Sequence, residues 1–140
     1  MSHNKHLKIG ILFFTLCSLI SLPVTAYSPG RYEIVNTAFT VGAGKAKYFN
    51  FRVTGNRVDV QGRFRAEGGS GNDIKVLILD SDGFENWRNG HQTSTYYNSG
   101  KRTVGNITAQ LGPGDYVLVY DNTFSAMSNK AITTNAEVQW

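Results

Sequence analysis

The sequence predicts an all-β protein: an antiparallel two-sheet β-sandwich, jelly-roll-like, with about eight strands. Three observations carry this. Beyond residue 30, apolar residues alternate with polar ones at period two, and helical spacing is hard to find. Turn-forming clusters such as Thr54-Gly55-Asn56, Asp80-Ser81-Asp82-Gly83 and Gly112-Pro113-Gly114-Asp115 punctuate these runs. The chain is 140 residues long without an internal repeat, which suits one domain with one core.

Residues 1–26 read differently. Lys5 and Lys8 form a basic start, residues 9–22 are apolar without a charge, and Pro23-Val24-Thr25-Ala26 places small residues before a cut after Ala26. The apolar run is about 14 residues, short of the roughly 20 that a spanning helix needs. Signal peptide 1–26 is therefore expected to be cleaved, leaving a secreted or periplasmic protein with no transmembrane anchor. Cys17 follows Leu16, where a lipoprotein signal would carry a small residue. The remaining domain, residues 27–140, has no cysteine, so packing rather than disulfides must hold it together. Loss of Lys5 and Lys8 lowers the net charge from +4 to +2, too small an excess to support nucleic-acid binding.

Residues 32–41 read as the first strand. In residues 48–54, Phe49, Phe51 and Val53 face one way and Asn50 and Arg52 the other. Val58, Val60 and Phe64 then face inward while Arg57, Asp59, Gln61, Arg63 and Arg65 face out, with Gly62 marking a bulge or a close contact. The tight turn Thr54-Gly55-Asn56 between these strands predicts a hairpin. Residues 67–72 have loop composition, and residues 73–80 are nearly continuous apolar, as expected of a central strand covered on both faces. Asp80-Ser81-Asp82-Gly83 reads as a turn, and residues 84–97 have no legible period. Residues 103–111 form a strand, residues 116–120 a second central strand, and Ile132, Thr134, Ala136, Val138 and Trp140 an alternating final face.

The last third also carries a resemblance. Gly114-x-Tyr116, a strand, Asn122-x-Phe124-Ser125, four residues, Lys130 and a closing strand resemble the C-terminal half of the GOLD domain, the lumenal β-sandwich of the emp24/gp25L/p24 cargo-receptor family. Lys47-Tyr48-Phe49-Asn50-Phe51 is similar to an early strand of that domain, and Asp80-Ser81-Asp82-Gly83 to its hairpin turn. Those proteins also carry paired cysteines, a coiled coil, a membrane span and a cytoplasmic tail; residues 27–140 hold no cysteine, so cargo-receptor function is not expected to carry over. The resemblance implies a GOLD-like sandwich used for non-catalytic recognition, in a free-standing exported version.

Candidate chemistry is sparse. Asn122 and Ser125 are expected to cap a turn, with Phe124 tucked under the sandwich edge. His91 is the sole histidine after residue 26, and there is no Gly-x-Ser-x-Gly elbow, so no enzyme is expected. One histidine without cysteine cannot complete a zinc site. Asp80, Asp82 and Glu85 offer calcium-type oxygens but lack the twelve-residue loop, so no cofactor is expected, with calcium as the alternative. Trp87, Arg88, His91, Tyr96 and Tyr97 combine flat aromatics with polar groups and form the candidate ligand-binding region, against the alternative that Trp87 and one tyrosine plug an open end. Arg57, Arg63 and Arg65 read as a solvated sheet face, and Asn106-Ile107-Thr108 is a glycosylation sequon. The expected function is a non-enzymatic binding module for a protein or glycan partner. The alternatives are a structural, self-assembling envelope subunit or a small outer-membrane β-barrel, whose terminal aromatic Trp140 would imitate.

Overall fold

The structure, a computed structural model, describes residues 30–69 and 71–140. The expected signal peptide, residues 1–26, lies outside the described residues. Eight strands and one helix follow in order: β1 (Arg31–Val41), β2 (Ala46–Val53), β3 (Val58–Glu67), β4 (Ile74–Asp80), α1 (Ser81–Arg88), β5 (Tyr97–Arg102), β6 (Val104–Leu111), β7 (Gly114–Asp121) and β8 (Lys130–Gln139). They form two four-stranded sheets, β1-β8-β3-β6 and β2-β7-β4-β5, with every pair antiparallel. The first strand pairs with the last, β2 with β7, β3 with β6 and β4 with β5. That nesting is a long hairpin rolled on itself, the jelly roll. Among the described residues the sheets do not close into a barrel.

Alternation puts one face of each sheet inside. Phe51 and Val53 of β2, Val60 and Phe64 of β3, Ile74, Val76 and Ile78 of β4, and Leu118 and Tyr120 of β7 meet in one buried cluster. At Gly62 an added Cβ would run into the backbone of Asn135 and Ala136 on β8, so a close strand contact explains this glycine. A second, smaller cluster forms on the outside of the β2-β7-β4-β5 sheet from Leu77, Leu79, Val117, Val119 and Phe84. β4 and β7 are thus covered on both faces, and their sequences are correspondingly continuous in apolar residues.

Two expectations are corrected. The segment Thr54-Gly55-Asn56 does not close a hairpin, because β2 and β3 lie in different sheets and the chain crosses between them. Alternation reports which face is buried but not which strand is the neighbour, and Phe51 and Val60 face the same core from opposite walls. Asp80-Ser81-Asp82-Gly83 is the start of a helix rather than a hairpin turn. The eighth strand is β5, Tyr-Asn-Ser-Gly-Lys-Arg, which hides from period analysis because it is a polar sheet edge.

Candidate functional site

The helix α1 organises the region singled out for ligand binding. Asp80 leaves β4 in extended conformation and its Oδ1 accepts the Gly83 N–H at 2.7 Å, capping the first turn. Asp82 in the first turn and Arg88 in the last complement the helix dipole. Phe84 and Trp87, three residues apart, share the face that packs on Leu77, Leu79, Val117 and Val119. At the other end Gly90 takes φ +75°, its N–H bonds to Trp87 O at 3.0 Å, and the His91 N–H bonds to Asn86 O at 2.9 Å. This is a Schellman motif, so Asn89-Gly90-His91 is a helix stop.

The five candidate ligand residues are not brought onto one surface. Trp87 is half-buried on the outer face of the sheet, its ring 5.8 Å from that of Phe84, and so does not plug the sandwich end. Arg88 donates to Glu85 Oε2 at 2.8 Å and lies over the Phe84 ring. His91 is exposed. Tyr97 turns into the main core and donates to Asn106 O at 2.6 Å, and burial pushes its hydroxyl pKa up. Tyr96 stays half-exposed, its ring edge-on to Tyr116 at 5.2 Å and its hydroxyl 3.4 Å from Asp80 Oδ2.

What the structure does gather is an open groove of about 990 Å³ between α1 and residues 92–96, lined by Asp80, Asp82, Asn86, Gln92, Thr93 and Tyr96. Its walls are carboxylates, amides and hydroxyls with one aromatic ring, a set that suits a polar, hydroxyl-bearing ligand. Of the calcium-type oxygens, Asp80 Oδ1 is engaged by Gly83 and Glu85 by Arg88. Among the described residues no three His, Cys, Asp or Glu side chains gather as metal ligands.

The polar stretch after β7 is a joint between loops. The buried Asn122 donates from Nδ2 to Val41 O at 3.3 Å, Gly42 O at 3.0 Å and Ser128 O at 2.9 Å. Its own N–H reaches Lys45 O at 2.9 Å, and its carbonyl accepts from Ser125 N–H at 3.1 Å. Ser125 Oγ donates to Ser128 O at 3.1 Å and accepts from the Ser128 N–H at 3.2 Å. Asp121, also buried, accepts from the Thr123 N–H and hydroxyl and pairs with Lys75 at 3.2 Å. Phe124 is half-buried beneath Lys101, whose Nζ stands 4.2 Å from the ring centroid. Asn122 thus ties the β1–β2 turn to the β7–β8 loop, a role that its residue type announces but whose partners lie some 80 positions away.

No protein-family model matches this chain, and no curated protein matches it.

Proposed function

We propose that this chain is a secreted or periplasmic, non-catalytic, GOLD-like binding module that recognises a protein or glycan partner. The observation that carries the reading is the open groove beside α1, where the exposed Tyr96 ring stands next to Asp80, Asp82 and the amides of Asn86 and Gln92. Such a groove offers flat apolar area at small entropic cost together with donors and acceptors on a capped helix. The resemblance of the Asn-x-Phe-Ser…Lys element to GOLD sandwiches supports the same reading.

The test is capture of partners from an envelope extract by tagged protein, with Tyr96→Ala as control and a protease-treated extract alongside. Retention that survives protease but fails with Tyr96→Ala at unchanged Tm supports a glycan in the groove. Retention lost on protease treatment and with Tyr96→Ala supports a protein partner. Retention unaffected by Tyr96→Ala removes the groove from the reading. No retention at all favours the structural, self-assembling alternative, which would draw on the open sheet edges at β1 and β6.

A further inference from the structure

We propose a second binding surface, a crevice for a neutral oligosaccharide chain that runs along the β1–β2 side of the sandwich to the C-terminal end. The inference rests on the reading of the chain as a binding module, but it names a different surface and a ligand class. Two depressions adjoin there, of about 690 and 250 Å³, and they share Tyr32 and Arg52 in their walls. Tyr48 lines the first and Trp140 the second. Among the described residues four large aromatic side chains stand about half-exposed, and three of them, Tyr32 at 49%, Tyr48 at 48% and Trp140 at 51%, lie in these two depressions. A surface that leaves three flat rings wet in two adjoining depressions is arranged for a ligand with several flat apolar faces.

Two of the three rings are held in place beforehand. Tyr48 leans on Phe84 with centroids 4.9 Å apart. Trp140 is tied by paired backbone bonds with Gly30 at 3.0 and 3.2 Å, and its indole occupies the space that a side chain at residue 30 would need. Rings fixed in this way lose little freedom when a ligand stacks on them.

The polar groups select the ligand's charge. Arg52 grips Asp115 through two bonds, Nε to Oδ1 at 2.6 Å and Nη2 to Oδ2 at 3.0 Å, and Arg88 holds Glu85 at 2.8 Å. Both guanidinium groups are already matched by carboxylates and Asp82 adds a further acid to the lining, so a phosphate or sulfate finds no uncompensated cation there. A sugar hydroxyl requires none. It accepts from the remaining guanidinium N–H groups and donates to the outer carboxylate lone pairs, while the C–H face of the ring lies on tyrosine or indole. Asn50, outward on β2 between Tyr48 and Arg52, adds an amide donor and acceptor to the same row.

The test is an NMR titration of the purified protein with six-unit β-1,4-glucan, chitin, xylan and α-1,4-glucan oligosaccharides, beside a sulfated oligosaccharide of equal length. The expected result is saturable shifts of the Trp140 indole N–H and of Tyr32, Tyr48 and Arg52 with at least one neutral sugar. Tyr48→Ala and Trp140→Ala should each weaken that binding by about tenfold or more at unchanged Tm, Tyr48→Phe should restore it, and Tyr96→Ala should leave it alone. Silence with all four neutral sugars, or shifts from the sulfated one only, overturns the proposal. Shifts confined to residues 92–96 also overturn it, while leaving the groove beside α1 as the binding site of the module.

Discussion

Asn122 concentrates three backbone carbonyls from two loops on one amide. Removing it leaves buried acceptors without donors, so Asn122→Ala is expected to cost about 2–3 kcal/mol in urea unfolding. Asn122→Asp should cost more near neutral pH, since it turns an anion toward the same carbonyls. Tyr120 presents a simpler case. The Thr134 hydroxyl gives its hydrogen to Arg63 O at 2.7 Å, so in the 2.7 Å contact between the two hydroxyls Tyr120 must be the donor. Burial holds the Tyr120 hydroxyl pKa well above the ordinary tyrosine value, and burial also raises Tyr97 and Tyr116. Above about pH 10 the unfolded chain releases these protons while the folded chain keeps them, so stability falls as pH rises through that value. Urea midpoints measured from pH 8 to 11 should show this decline, and Tyr120→Phe should flatten it while costing about 1 kcal/mol at pH 8. The polar character of residues 121–125 was legible in the sequence as turn chemistry. Which carbonyls Asn122 serves was not, because Val41 and Gly42 approach only once the sheets are assembled.

The helix is the element on which the proposed groove depends. Asp80→Ala should cost about 1 kcal/mol by removing the cap, and circular dichroism with thermal melting would register it. Trp87 is half-buried against the second cluster, so Trp87→Ala should cost well under the roughly 3–5 kcal/mol of a fully buried tryptophan. Measured stability near the full value would place Trp87 inside a core rather than on a sheet surface. The strands were legible wherever one face is buried: β1, β2, β3, β4, β6, β7 and β8 all alternate or run apolar. The helix was hidden because its first residues, Ser-Asp-Gly, also form turns, and because only Phe84 and Trp87 mark its apolar face. β5 was hidden because an edge strand needs few apolar side chains. Tyr97 alone faces the main core, and Ser99 Oγ stands in for a backbone carbonyl by accepting the Val76 N–H at 2.8 Å.

At the scale of the molecule, every pairing in the nested order except β4 with β5 joins segments far apart in sequence. Loop-closure entropy must be met before these contacts return any stabilisation, so refolding followed by tryptophan fluorescence should fall in the millisecond-to-second range typical of all-β domains, not in microseconds. The two-sheet architecture was legible from composition and alternation. The pairing of strands was not, since each sheet takes strands from both halves of the chain. β8 sits between β1 and β3 and hydrogen-bonds to both. A polypeptide threaded out amino end first therefore presents β1 and β3 with an empty lane between them until β8, Lys130–Gln139, arrives. The domain closes like a clasp on β8, and a nascent chain stopped short of residue 130 leaves β1 without its partner strand.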